Sequence, residues 1–526
     1  MENNRGSWGS NFGFIMAAVG SAVGLGNIWG FPYKMGKCGG FSFLLVYLGL
    51  AVFVGLIIMA SELALGRKTG KGVITSYQEV SKKFKWIGWL GFIAPFLIMT
   101  FYSVLGAYVL QYLSLNLSEL AFDLGGTLGT PLGGSLTFGA MLAKPWGSVI
   151  FTILFMIICY LIVAGGVQGG IEKFNKVGMP ALFVMLIIII AKAWSMPGAS
   201  EGLKFMFLPG YAVSAGFIAE QPNFVTVLGT AGGQMFFSLS LAMGAMITYG
   251  SYLDKKENIV KNSFIIVICD TLVALMAGLA VIPAAVANGI ASGVPYDKIS
   301  LSGPKLLFVT LQDVFAAMGG LGAVFGIIFY TLVLLAAISS AISLMEACSA
   351  HFIDKRIAKG LDPMRKPIVG YVAIAITILA ALVAADALGS YKLHPAALLK
   401  LDPTHIANWN ADWLDFMDFW SEGLAMPLGA MLMALMVGWE LKPAFFLDEI
   451  HNGANPGFFD KFYAVVVKFI TPVIMAFVLA GQMIDFLKCE ANAAYIQTVC
   501  YAIAGVLLVV FWVVAAVGNK KTETVQ

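Results

Sequence analysis

Three acidic residues, Glu62, Asp270 and Glu346, fall inside stretches apolar enough to lie at bilayer depth, where an ionisable side chain is costly and marks function by default. Asp270 stands about eleven residues into its run, ~16 Å along a helix, close to the middle of a bilayer. A fixed negative charge there suits a cation. The first apolar run reads Gly20-Ser21-Ala22-Val23-Gly24-Leu25-Gly26-Asn27, and each glycine costs ~1 kcal/mol relative to alanine in a helix. A helix restarting near Gly24 to Gly26 presents free backbone N–H groups and the positive end of its dipole, which suits a carboxylate. A second run reads Phe237-Ser238-Leu239-Ser240-Leu241-Ala242-Met243-Gly244, with two hydroxyls and a glycine at its middle. Ala336, Ser339, Ser340 and Leu344 recur at i, i+3, i+4 and i+8, on one helical face. Ile98 and Tyr102 share a face in the same way. On spacing alone such serines bond back to their own helix, and such apolar and aromatic residues pack as core.

The elements that hold these residues are membrane spans. Of 526 residues 59% are hydrophobic and 12% charged, mean hydropathy is +0.87, and soluble domains carry ~25% charge; a water-soluble enzyme is excluded. The net charge of +3, from 32 basic and 29 acidic residues, is too balanced and dispersed for a nucleic-acid footprint. A bilayer core needs ~20 apolar helical residues, and twelve candidate spans follow: roughly 11–36, 41–66, 88–118, 147–165, 177–196, 224–252, 259–289, 314–350, 366–386, 414–438, 461–487 and 494–518. With the N-terminus inside, most lysines and all four arginines (Arg5, Arg67, Arg356, Arg365) fall on the inner side, so the positive-inside rule predicts cytoplasmic termini. No cleavable signal peptide is visible, and the scattered cysteines have no ligand spacing. Spans 1 and 6, five apart and opposite in direction, are both interrupted at mid-membrane. Interrupted backbone survives there only where it lines a cavity, and such a pair points to a transporter site; close packing through small residues is the plainer reading.

Four segments then carry a resemblance: Trp8 through Gly20–Asn27 to Phe31-Pro32-Tyr33, Gln234-Met235-Phe236-Phe237-Ser238-Leu239-Ser240, Ile282-Pro283-Ala284-Ala285, and Met417-Asp418-Phe419-Trp420. The chain resembles the sodium-coupled neurotransmitter and amino-acid symporter family, in its bacterial branch, over nearly its whole length. The resemblance implies an all-α polytopic fold of two inverted five-helix repeats (about 8–196 and 224–440) with spans 1 and 6 broken, plus two extra helices (about 441–518), in one transporter domain of the plasma membrane. It implies two sodium sites. One would use the Ala22 carbonyl, Asn27, Ser238 and Asp270 beside the substrate carboxylate; the other the carbonyls of Gly20, Val23 and Ala336 with the Ser339 and Ser340 hydroxyls, oxygen donors as hard cations require. The substrate pocket would be lined by Ser21, Ala22, Gly24, Leu25, Gly26, Ile98, Tyr102, Phe236, Phe237, Ser238, Ser240, Met243, Ser340 and Leu344, with Tyr102 holding the carboxylate and closing the outer side. Met243 stands where relatives commonly have Phe and can re-pack around different shapes, which favours a bulky hydrophobic or aromatic amino acid. Gly24 replaces the Asp of monoamine carriers, which points to α-amino acids.

Many relatives have Asn at the position of Asp270 and use chloride to balance sodium, so this chain is expected to work without chloride. With sodium gone Asp270 is expected to take a proton, returning protons outward. Glu62 is expected to bond free backbone groups of span 6, and Glu346 to be hydrated at the inner end. Arg5 and Asp354 match the family's inner gate pair, with Trp8, Ser251 and Tyr252 beside them. Asp418 matches the outer acidic gate, but Gly30 stands where its basic partner belongs; Lys34, one turn later on the same face, is expected to reach Asp418 instead. Other classes fit less well: there is no HExxH, and Gly66 to Gly72 has the wrong spacing for a phosphate loop. A channel, a non-transporting amino-acid sensor and another sodium/solute symporter are the alternatives. The sequence carries no signal for oligomeric state.

Overall fold

The computed structural model describes residues 6–122, 129–299, 301, 305–451 and 457–517. All regular structure among them is helical. Ten unbroken helices are long and apolar enough to cross a bilayer: Phe41–Thr69 (span 2), Ile87–Phe122 (span 3), Pro145–Ala164 (span 4), Val167–Trp194 (span 5), Ile259–Ala291 (span 7), Gly319–Ile357 (span 8), Arg365–Asp386 (span 9), Trp413–Glu440 (span 10), Phe458–Leu487 (span 11) and Ile496–Val517 (span 12). Span 1 is the eleventh, a pair of helices Asn11–Ala22 and Gly26–Lys37 bent by 47°. Span 6 is broken, as expected: it is a helix Phe224–Ser238 and a short helix Ala245–Gly250 joined by a non-helical link, neither piece long enough to cross alone. Span 8 starts later than expected, because Leu311–Ala317 is a separate helix.

The breaks have local causes. Span 1 begins with Ser10 capping the Gly13 N–H at 3.0 Å and ends its first half at Val23, whose backbone is extended. In span 6 the link carries Ser240, Ala242 and Gly244 at φ of +53°, +59° and +72°, a left-handed region costly for the two that are not glycine. Glu62, fully buried on span 2, accepts from the freed Ala242 N–H at 2.6 Å, which is the role expected of it. At Gly244 both the positive φ and the Gly91 carbonyl, 2.6 Å from where a Cβ would sit, demand glycine.

The two breaks lie side by side. Ser240 Oγ donates to the Ser21 carbonyl at 2.7 Å, and Gln234 Nε2 to the Gly26 carbonyl at 2.7 Å. Spans 3 and 8 pack against each other beside them. The whole is two five-helix repeats of inverted direction, spans 1–5 and 6–10, with spans 11 and 12 outside. The outer connection between spans 9 and 10 is a strap: buried Asp386 accepts from the Leu393 N–H (2.8 Å) and the Trp413 N–H (3.1 Å), and Asn408 donates to the Asp485 carbonyl on span 11 (2.8 Å).

Candidate functional site

Asp270 is fully buried on span 7 and is held from three elements. Asn27 Nδ2, at the break of span 1, donates to Asp270 Oδ1 at 2.6 Å and to Ser238 Oγ at 2.9 Å; Ser238 Oγ donates to Asp270 Oδ2 at 2.9 Å. Tyr47 of span 2, which sequence reading missed inside an apolar run, reaches Ser238 Oγ at 3.2 Å and Asp270 Oδ2 at 3.4 Å. One carboxylate and two hydroxyls thus meet at the point where spans 1 and 6 open, oxygen donors that suit a small hard cation, with the NH₂ of Asn27 facing them.

A second cluster sits on the other side of the span 1 break. Ser340 Oγ lies 3.4, 3.0 and 3.3 Å from the carbonyls of Gly20, Ser21 and Val23. Ser339 Oγ donates to the Ala336 carbonyl at 2.9 Å and the Val23 carbonyl at 3.4 Å. All five positions expected there converge. Ser339 also makes the back-bond to its own helix that spacing alone suggested. Ser343, one turn beyond Ser340, was not anticipated; its hydroxyl pairs with that of Ser21 at 2.7 Å.

Between the clusters the restarted helix aims its N–H groups. Leu25 N–H donates to Tyr102 Oη at 3.0 Å and Gly24 N–H to Asn27 Oδ1 at 3.0 Å. A Cβ on Gly24 would stand 2.6 Å from Tyr102 Oη and run into Ser340 Oγ, so only glycine admits this approach. Phe237 lies over Gly26 and its ring centroid is 6.4 Å from that of Tyr102. Ile98, Ala22, Phe236, Met243 and Leu344 are buried.

At the end of the bundle expected to face outward, the ion pair is corrected. Lys34 Nζ pairs with Glu422, not with Asp418. Both acids project from a π-helical stretch of span 10 or its start, one turn apart, and Lys34 meets the farther one, to which Gln482 Nε2 also donates at 3.4 Å. Asp418 Oδ1 has no hydrogen-bond partner among the described residues. A cavity of about 310 Å³, lined by Trp29, Tyr33, Lys34, Asp415, Asp418 and Glu422, opens here. Lys34→Ala and Glu422→Gln are each expected to slow outer closure several-fold, with Asp418→Asn milder, in stopped-flow fluorescence from a reporter on span 1. Wild-type kinetics in Lys34→Ala would leave closure to Tyr102 and Phe237.

At the end expected to face inward, Trp8 Nε1 donates to the Tyr249 carbonyl at 3.1 Å and its ring packs edge-on to Tyr249 and Tyr252. Asp354 accepts from the Gly72 N–H at 2.6 Å; Arg5 lies outside the described residues. Glu346 is the second correction. Rather than hydrated it is fully buried, accepting from Tyr252 Oη at 2.6 Å and from Arg365 Nη1 at 3.1 Å. Burial of a carboxylate requires such a partner, and span 9 supplies it.

The chain matches known proteins over nearly its whole length. The family model described as the sodium:neurotransmitter symporter family matches residues 5–125 and 142–521. The chain is 32% identical over 486 residues to the uncharacterized sodium-dependent transporter YhdH of Bacillus subtilis, covering 91% of this chain and 97% of that one. Against the sodium- and chloride-dependent GABA transporter 2 of Homo sapiens it is 23% identical over 384 residues, 66% of this chain and 62% of that protein. Among solved structures, the crystal structure of MhsT in complex with L-phenylalanine superposes with a TM-score of 0.76 at 33% identity, covering 91% of this chain and all of the other.

Proposed function

The chain belongs to the sodium:neurotransmitter symporter family, and on that premise we propose that it imports a bulky hydrophobic or aromatic α-amino acid together with sodium by alternating access. It is a sodium-dependent, multi-pass membrane symporter and not an enzyme. The finer reading assigns the first sodium to Asn27, Ser238, Asp270 and the Ala22 carbonyl. The second goes to Ser339, Ser340 and the carbonyls of Gly20, Val23 and Ala336. The substrate carboxylate meets the backbone N–H groups near Gly24 to Gly26 with Tyr102, and the substrate side chain lies among Ile98, Phe236, Phe237, Met243 and Leu344, with Ser21 and Ser240 on the walls. Both termini are cytoplasmic and residues 1–526 form one transporter domain, with repeats at about 8–196 and 224–440 and extra helices at about 441–518.

The observation that carries this reading is the convergence of Asp270, Ser238 and Asn27 within 3.2 Å of one another, with Asn27 three residues along the chain from Gly24 at the break of span 1. A buried carboxylate with no basic partner in that group supplies the negative charge that chloride supplies elsewhere, so transport runs without chloride. When sodium leaves, a proton replaces it on Asp270 and travels outward. A neighbour of similar fold, MhsT, has been solved in complex with L-phenylalanine, which supports an aromatic amino acid as the ligand of this chain.

The direct test is a binding screen of the purified protein over the twenty amino acids in sodium and in choline buffers. Sodium-dependent binding of Phe, Trp, Leu or Ile is expected, with glycine and alanine weak. Binding confined to glycine or alanine would overturn the substrate class; binding of none in sodium would overturn the amino-acid reading.

A further inference from the structure

Asn175 of span 5 is fully buried, and its Nδ2 donates to the Ile171 carbonyl one turn back, at 2.9 Å. Its Oδ1 has no hydrogen-bond partner among the described residues. The orientation is chemically fixed, because the reversed amide would set its oxygen against the Ile171 carbonyl. Burying an amide oxygen without a partner is costly. The neighbouring polar side chain on the same face of span 5 carries no such cost: Glu172 accepts from the Gly9 N–H at 2.7 Å and pairs with Lys176 Nζ at 2.6 Å.

The bare oxygen faces the second cluster, where spans 1, 5 and 8 pack together. A Cβ built on Gly20 would run into Asn175 Oδ1 and stand 3.2 Å from Ser339 Cβ. The amide oxygen, the Gly20 backbone and the Ser339 side chain therefore surround one point, and only glycine at 20 admits the amide. An ion of the size of sodium or calcium takes about six or more oxygens. The hydroxyls of Ser339 and Ser340 with the carbonyls of Gly20, Val23 and Ala336 offer five, all from spans 1 and 8.

We propose that Asn175 Oδ1 is a sixth oxygen for the cation of this second cluster, contributed by span 5. The ion then draws on three spans, and its contact offsets the cost of keeping an amide oxygen bare in the core. This rests on the assignment of a sodium to the cluster of Ser339 and Ser340. Losing the oxygen is expected to weaken sodium binding about 3- to 10-fold, the scale of one polar contact to a charge.

The test follows thermal unfolding of the purified protein, without amino acid, as sodium replaces choline; bound sodium raises the midpoint by mass action. Asn175→Ala is expected to need about 3- to 10-fold more sodium for the same rise. Its midpoint in choline is expected to equal or exceed that of wild type, since a bare buried oxygen is gone and alanine favours the helix. An unchanged sodium response overturns the proposal whatever the midpoint in choline, and leaves Asn175 a structural residue. Asn175→Asp keeps an oxygen at that end and is expected to respond to sodium at least as strongly as wild type; a response as weak as that of the alanine variant overturns the proposal too. In a Ser339→Ala background the effect of Asn175→Ala is expected to shrink, because both side chains act on one ion, whereas in Asp270→Asn it persists. Fully additive losses with Ser339→Ala count against a shared ion and overturn the assignment. Should Asn175→Ala not fold, Asn175→Ser is read in the same way, its shorter side chain leaving the ion out of reach. A wild type that sodium does not stabilise contradicts the sodium reading itself, so the two failures are distinguishable.

Discussion

Asp270→Asn is expected to lower sodium-driven uptake in chloride-free medium by at least about tenfold and to make what remains respond to chloride. The reason is charge. A cation 4 Å or less from a buried carboxylate gains about 4 kcal/mol at an effective dielectric near 20, of which only a fraction is needed for a tenfold effect. Asn is close in shape and keeps an oxygen toward Ser238 and Tyr47, so the packing survives, while its NH₂ stands where Oδ1 accepted from Asn27 Nδ2 and that charge-assisted bond is lost. Initial rates in proteoliposomes with sodium gluconate and sodium chloride outside read both effects. Full activity without chloride in the variant would remove Asp270 from the sodium site. Partial recovery by chloride would show that the balancing charge, rather than this carboxylate, is what the site requires.

Arg365→Ala is expected to be the most destabilising substitution at the inner end. Glu346 has no exposed surface and the Arg365 side chain keeps 19%, so removing the guanidinium strands a carboxylate among spans 6, 8 and 9. Breaking a buried pair from one side costs about 3–5 kcal/mol. Glu346→Gln with Arg365→Gln should recover much of that loss, because no uncompensated charge remains. The pair also ties Tyr252, just past the inner end of span 6, to the start of span 9, whose Arg365 Nε further donates to the Val163 carbonyl on span 4 at 3.1 Å. The single variant is therefore expected to favour the inward-open state as well. Thermal retention of monodisperse protein and cysteine accessibility at the inner face measure the two consequences. Unchanged stability in Arg365→Ala would mean that Glu346 finds water or another partner.

Hydropathy alone locates nearly every span, because apolar runs of bilayer length have few other readings. It also finds the break in span 1, where Gly20, Gly24 and Asn27 are poor helix formers together, and the hydroxyls of Ser339 and Ser340 on their common face. What it cannot resolve is pairing between helices. Asp418 and Glu422 are four residues apart, and only the placement of span 1 against span 10 shows which of them Lys34 meets. Glu346 and Arg365 lie on different spans, so nothing in their spacing announces the pair. Tyr47 looks like any aromatic residue in an apolar run until span 2 is placed against span 7. The strap between spans 9 and 10 reads as a polar loop, and its anchor, Asp386, is legible only once the Leu393 and Trp413 N–H groups are seen to converge on it.

The central claim is that sodium and an amino acid cross together through the opening between spans 1 and 6. Uptake of the labelled amino acid identified by the binding screen into proteoliposomes tests it most directly, with an inward sodium gradient, with sodium equal on both sides, and with potassium in place of sodium. The account predicts saturable accumulation above the outside concentration only when the sodium gradient is present, with sodium entering alongside. Sodium flux that needs no amino acid, or amino-acid binding with no accumulation under the gradient, would contradict it.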